Sequence, residues 1–260
     1  MELGIQGKRA LVTGGSHGIG LAIAAGLAAE GCAVAICSRT KKRLGAAERQ
    51  LRAVATKTLC LQADVFNDTD ILRTTREIDK AWGGVDILVN NVGGGGRWGK
   101  ETIEVTPEEV WAQVYQKNAG AAIAFSRWAI PEMRRRKWGR IVAISSIHGR
   151  EAGGRPWFTM AKAAQIAMNK SLAVQPYLAR DGITFNTVAA GSIMVADTGW
   201  ADERAKDPAG FAIRMDKEFP LGRLGTPEEV AAVVLFLCSA HSAYVNGACI
   251  PVDGGESRAF

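Results

Sequence analysis

The chain has 260 residues, 47% of them hydrophobic, and carries 32 lysines and arginines against 26 acids for a net charge of +6; that length suits one α/β domain with a large core. Its longest strongly apolar stretch, Val230 to Cys238, is too short to span a bilayer, and no basic run is interleaved with aromatics, so neither a membrane nor nucleic acid is an expected partner. The first residues hold no apolar signal core, the five cysteines form no C-x-x-C pair and the three histidines lie far apart, so a cytoplasmic protein with reduced thiols and no metal site is expected.

Apolar runs and helical patterns then alternate along the whole chain. Arg9 to Val12 predicts a short buried strand. After it comes Thr13-Gly14-Gly15-Ser16-His17-Gly18-Ile19-Gly20, and then Leu21, Ile23, Ala24, Leu27 and Ala28 at helical spacing. A strand, a glycine turn and a helix in that order form half of a βαβ unit. Such a turn lets a pyrophosphate approach the backbone, and the helix start aims free N–H groups at it. The spacing T-G-x-x-x-G-x-G therefore reads as a nucleotide loop.

Further strands are expected at Ala33 to Cys37, Thr58 to Leu61, Val85 to Val89, Ile141 to Ile144, Ile183 to Val188 and Cys249 to Val252. Helices are expected from about Lys42 to Val54, and from about Asp68 to Ala81 with Asn67 or Asp68 as cap. Thr106-Pro107-Glu108-Glu109 has the form of a helix start, and that helix should run through Trp111, Tyr115 and Phe125 to Lys137. Gly93 to Gly96 reads as a flexible segment. A long helix should run from Pro156 towards Ala179, kinked or stopped early by Pro176. Residues 191–218 look like an irregular, charged insertion over the substrate region, and Thr226-Pro227-Glu228-Glu229 repeats the helix start. Repeated β-then-α order implies a single doubly wound α/β domain, residues 1–260, with a parallel seven-stranded sheet and helices on both faces. The densest basic run, Arg134 to Lys137, reads as a solvated helix end or as an anion-binding patch.

Beyond the glycine loop the chain holds Asp64-Val65, Asn90-Asn91-Val92-Gly93, Asn118, Ile144-Ser145-Ser146, Lys162, Gly191-Ser192-Ile193, Pro220-Leu221-Gly222-Arg223 and Val252-Asp253-Gly254-Gly255. With these motifs in this order, over nearly its whole length, it resembles the short-chain dehydrogenases/reductases, near their 3-oxoacyl-carrier-protein reductase branch. The resemblance implies a Rossmann fold, a homotetramer and an oxidoreductase acting on a small carbonyl, alcohol or acyl thioester substrate. It also implies that Gly14, Ser16, His17, Gly18, Ile19 and Gly20 cradle the cofactor, that Asp64 and Val65 meet the adenine, that Asn91 and Gly93 lie along the cofactor, and that Ile193 flanks the carboxamide. Val92 and Ala190 depart from the usual alanine and proline.

The end of the second strand holds Ser38-Arg39-Thr40, where an NAD site wants an acid for the ribose hydroxyls. A guanidinium beside a hydroxyl suits a 2′-phosphate instead, and His17 stands where relatives often carry a second basic group. NADP(H) is therefore expected over NAD(H), unless Arg39 is only a solvated surface charge.

The catalytic set implied by the resemblance is Asn, Ser, Tyr and Lys, with Tyr four residues before Lys. Asn118 and Lys162 are in place, but Phe158 stands where the tyrosine belongs and has no titratable group. Ser146 is chosen as the working serine, with a one-residue deletion in the loop from Gly149 to Pro156; Ser145 is then a cap or strand-end residue. The proton could instead come from His148, two residues after Ser146, since histidine titrates near neutrality. Four readings stay open: an atypical NADP(H)-dependent oxidoreductase, a catalytically silent NADP(H)-binding subunit or sensor, an enoyl or dienoyl reductase, and an ordinary ketoreductase inactivated by a tyrosine-to-phenylalanine change.

Overall fold

A computed structural model describes residues 2–54, 57–100 and 102–259. Seven parallel strands form one sheet in the order β3-β2-β1-β4-β5-β6-β7: β1 (Arg9–Thr13), β2 (Ala33–Ser38), β3 (Thr58–Gln62), β4 (Ile87–Asn90), β5 (Gly139–Ser146), β6 (Ile183–Ala190) and β7 (Cys249–Val252). The side-chain period of two explains why the strands read as unbroken apolar runs. Ala10 and Val12, Val34 and Ile36, and Val142 and Ile144 enter the core on one face. Leu11, Ala35, Cys37 and Ile141 enter the core on the other. A parallel sheet covered by helices on both faces buries both sets.

On the first face lie α1 (Gly18–Ala29) and α10 (Pro227–Cys238), packed on each other. Ile23, Ala24 and Leu27 of α1 meet Val230, Val234 and Leu237 of α10 in one core. The expected start of α10 holds: Thr226 Oγ1 accepts from the Glu229 N–H, and the Glu229 carboxylate accepts from the Thr226 N–H. Helix α2 (Lys41–Arg52) covers the edge of this face with Leu44, Ala47 and Leu51. On the second face α3 (Asp68–Trp82) starts on Asn67, whose side chain accepts from the Thr69 N–H.

The long helix expected from Thr106 to Lys137 differs from that expectation at its start and in its middle. Its start is not capped by Thr106, whose hydroxyl instead accepts from the Lys100 N–H and donates to the Thr102 carbonyl. Its middle is a π-helical turn, Gln116–Gly120, between α4 (Glu108–Tyr115) and α5 (Ala121–Arg136). Pro176 stops the later helix as expected, giving α6 (Pro156–Ala173) and a short α7 (Pro176–Ala179).

The insertion at 191–218 is more ordered than its sequence suggests. It carries α8 (Gly199–Lys206) and α9 (Pro208–Glu218). Asp207 caps α9 through the Gly210 N–H, and Trp200 meets Phe211 and Phe219 edge-on at 6.4 and 6.1 Å. Together with Met215 and Leu224 these rings form a small core of their own. Two helices of 8 and 11 residues with charged outer faces leave too short a periodic signal to read in advance.

The basic run 134–137 is held by acids. Arg134 and Lys137 pair with Asp181, and Arg136 pairs with Glu132 and Asp86. Among the described residues no helix is long and apolar enough to cross a membrane.

Candidate active site

The order in which successive strands are added to the sheet reverses between the parallel strands β1 and β4, and the site forms above the carboxyl ends of these strands. Thr13, the last residue of β1, ties the two loops together there. Its hydroxyl accepts from the N–H groups of Asn91 and Val92, each at 3.0 Å, and donates to the Val89 carbonyl at 3.3 Å. Asn91 returns the contact, donating from Nδ2 to the carbonyls of Thr13 and Gly14 at 2.9 and 3.3 Å. A Cβ on Gly20 would meet Asn91 Nδ2 at 2.4 Å and the Gly14 carbonyl oxygen at 2.5 Å. A residue without a Cβ at position 20 thus lets the start of α1 press onto the glycine turn, the arrangement by which a helix start can offer free N–H groups to a phosphate.

A cavity of about 260 Å³ opens beside that turn. Of the residues expected at the cofactor, Gly14, Ser16, His17, Ser38, Arg39, Val65, Asn91 and Gly93 line it. Gly18, Ile19 and Gly20 form the first turn of α1. Asp64 is placed differently: its carboxylate accepts from the Phe66 N–H and lies 4.0 Å from the Arg39 guanidinium, outside the lining of the cavity. Ile193 is buried in the core, where the chain leaves β6 and bridges to Gly225.

The cavity is more cationic than its sequence motif shows, because Arg43 and Lys117 join Arg39 and His17 on its wall. Burial, and then the Arg43 charge, pull His17 below the ordinary histidine range. Burial, and then the Arg39 charge, lower Lys117. Ser16 donates to Ser38 at 2.7 Å across the same wall. The insertion meets this end through Arg43 and Asp197, 3.6 Å apart, and meets the loop after β4 through Arg97 and Glu203, also 3.6 Å apart.

The reactive end is built by the π turn, β5 and α6. Asn118 is fully buried in the π turn. Its Nδ2 donates to the Gly94 and Val114 carbonyls, and its Oδ1 accepts from the Gly94 N–H. Lys162, 5% exposed, donates to the Ile144 carbonyl at 2.9 Å and to Gln165 Oε1 at 3.0 Å. Burial lowers its ammonium to about 7, with the Lys117 charge as a smaller cause. Gly93 lies between these two side chains: a Cβ there would meet Asn118 Oδ1 at 2.7 Å and Lys162 Nζ at 2.8 Å.

The two serines divide their tasks. Ser145 is buried and donates to the Lys162 carbonyl at 2.9 Å, which holds β5 to α6. Ser146 is half-buried, and its hydroxyl accepts from the His148 N–H at 3.2 Å at the start of a short 3₁₀ turn, Ile147–Gly149. Phe158 is half-buried, with Lys162 Nζ 5.8 Å from its ring centroid and the His148 ring edge-on at 6.5 Å. His148 Nδ1 is buried and has no hydrogen-bond partner among the described residues. Next to Phe158, Arg155 donates to the carbonyls of Trp98, Gly99 and Lys100, and Trp157 Nε1 donates to the Trp98 carbonyl, so the glycine-rich loop is anchored to the start of α6.

Sequence reading missed Thr13 as a hub, Arg43 and Lys117 as cavity cations, and Gln165. The last was open to detection. Phe158, Lys162, Gln165 and Asn169 fall on one helical stripe at i, i+4, i+7 and i+11, and polar residues on a stripe that also carries the working lysine mark a buried polar face.

A family profile described as "Enoyl-(Acyl carrier protein) reductase" matches residues 14–257. The chain is 34% identical to the 3-oxoacyl-[acyl-carrier-protein] reductase FabG of Aquifex aeolicus, over 98% of this chain and 99% of that protein. It is 35% identical to the 3-oxoacyl-[acyl-carrier-protein] reductase MabA of Mycobacterium tuberculosis, over 95% of this chain and 92% of that one. Its fold matches the crystal structure of L-sorbose reductase from Gluconobacter frateurii complexed with NADPH and L-sorbose, with a TM-score of 0.91, 33% identity and full coverage of both chains. The chain belongs to the short-chain dehydrogenase/reductase family of oxidoreductases.

Proposed function

We propose that the protein is an NADP(H)-dependent oxidoreductase for a small carbonyl or alcohol substrate, free or as an acyl thioester, that works without an acid/base side chain at position 158. The observation that carries this reading is the convergence of Asn118 and Lys162 on Gly93, with Phe158 one turn along α6 from Lys162. The residues present fit a phosphorylated dinucleotide. Arg39, Arg43, Lys117 and His17 surround the cavity next to Ser16 and Ser38, and the end of β2 offers no carboxylate to repel a 2′-phosphate. The relative solved with NADPH supports the same choice.

A nicotinamide held in this cleft would supply or accept the hydride. The lack of a Cβ at Gly93 lets the loop after β4 pack closely against Lys162 and Asn118, and Lys162 would donate to the ribose side of the cofactor. The Ser146 hydroxyl donates to the substrate oxygen. Phe158 presents only a ring, so any proton for that oxygen comes from elsewhere, and His148, whose ring lies edge-on to Phe158 at 6.5 Å, is a candidate for it. Phe158 also favours a second reading, reduction of a conjugated C=C bond, in which no protonation of a carbonyl by a tyrosine is needed. The assembly this reading carries is a homotetramer, to which the exposed apolar side chains of Ile103, Tyr115 and Met160 would contribute.

The test measures NADPH and NADH binding, and then consumption of NADPH with a panel of β-keto esters, diketones, ketoses and enoyl thioesters. Tight NADPH binding with turnover of a carbonyl substrate supports the first reading. Turnover of enoyl thioesters alone supports the second, and binding with no turnover of any substrate identifies a silent binding protein.

A further inference from the structure

Gln165 is fully buried, although it carries an amide that makes four hydrogen bonds in water. Its two ends have different partners. Oε1 accepts from Lys162 Nζ at 3.0 Å, and Nε2 donates to the Asn118 backbone carbonyl at 3.3 Å. The chemistry fixes the orientation of the amide. An ammonium only donates and a carbonyl oxygen only accepts, so the reversed amide would set donor against donor and acceptor against acceptor. Both partners are elements of the reactive end. Lys162 is one turn below Gln165 on α6, and Asn118 sits in the π turn, where the altered helical ladder turns its carbonyl towards α6.

We propose that Gln165 is a positioning residue that links Lys162 to Asn118 and sets where, and in which protonation state, the Lys162 ammonium stands. Among the described residues this ammonium has one other hydrogen-bond partner. Its remaining acceptor is the Ile144 carbonyl, and Phe158 offers no oxygen. The charged groups facing it add no anion either: among the causes that move it are burial and the Lys117 cation. A neutral acceptor hydrogen-bonded to the charged form offsets part of the cost of burying that form. The Oε1 of Gln165 is such an acceptor, and the Asn118 carbonyl at the other end keeps the amide from turning away.

This inference deepens the proposed function, since it takes Lys162 as a working group, but its test uses the cofactor-free protein and no substrate. The Lys162 side-chain carbon is followed by NMR in protein labelled with ¹³C-lysine, and its signal is identified by its loss in Lys162→Arg. Wild type is expected to titrate near 7. Gln165→Leu removes the acceptor and should lower that midpoint by about one pH unit, and Gln165→Glu supplies an anion and should raise it by at least about one pH unit. A residue that only fills space would change melting temperature without moving the midpoint. Unmoved midpoints in folded variants overturn the proposal. If Gln165→Leu fails to fold, the result with Gln165→Glu decides alone. Failure of wild type to bind NADPH would instead overturn the proposed function and leave the titration result standing.

Discussion

Phe158 and Lys162 stand one turn apart on α6, with the ammonium nitrogen 5.8 Å from the ring centroid. A cation above a ring face gains a modest attraction, but the ring gives it nothing to exchange a proton with. On the proposed reading the site combines a cofactor cleft with a reactive end whose position 158 carries no acid, and the measurable consequences separate along that line.

The cation cluster predicts cofactor preference. Charge-assisted contacts to a phosphate are worth about 1.5–3 kcal/mol each. Arg39 is more than half exposed and shares the cavity with Arg43 and Lys117, so Arg39→Ala should narrow the NADPH-over-NADH preference by about tenfold, at the low end of that range. Arg39→Ala/Arg43→Ala should narrow it further. Dissociation constants for both cofactors check this. Equal affinity of wild type for NADH and NADPH contradicts it.

Gly93 predicts a steric effect. In Gly93→Ala the new methyl would lie within 2.7–2.8 Å of Asn118 Oδ1 and Lys162 Nζ, both held by buried hydrogen bonds. Overpacking of this kind costs about 1–3 kcal/mol. Chemical denaturation should show that loss, and NADPH affinity should fall with it. A variant with wild-type stability and affinity would mean that the loop moves aside freely.

Lys162 predicts a pH effect on stability. Its ammonium is lowered to about 7 in the fold from an ordinary value of 10.5. Between those values the unfolded chain binds the proton and the folded chain does not, so this group adds stability as pH rises, by at most about 1.4 kcal/mol per pH unit. Lys162→Met should remove that slope. Urea denaturation of both proteins at pH 7 and pH 8.5 measures it, and parallel pH dependence in the two proteins is the contrary result.

Much of this was legible in the residues. The strands showed because a doubly covered parallel sheet buries both side-chain sets, so Leu11 and Val12 are both apolar although they face opposite ways. The glycine loop showed because close packing at Gly20 forbids a Cβ. The π turn did not show, because residues on either side of Asn118 keep helical periodicity and the extra residue is absorbed in one turn. Nor did spacing choose between Ser145 and Ser146. The fold distinguishes them by a hydrogen bond: Ser145 is committed to the Lys162 carbonyl, while Ser146 stays partly exposed. Lys117 was silent because it lies on the π turn, far from the nucleotide loop in sequence, and only packing brings its charge to the cavity. Arg43, four residues after Arg39, is one of several cations at the start of α2, and only the fold shows that it lines the cavity.

The proposed function makes the missing hydroxyl at Phe158 the main difference between this site and one that carries out ordinary carbonyl reduction. Hydride addition to a carbonyl leaves a developing alkoxide, and a positioned acid is typically worth 10²–10⁴-fold in rate. The decisive measurement is steady-state NADPH-dependent reduction of β-keto esters, diketones and ketoses by wild type and by Phe158→Tyr, which adds one oxygen near Lys162. The account predicts a rise of at least about tenfold in kcat/KM for the variant. Equal activity of the two proteins would contradict it, because another group, His148 first, would then already supply the proton.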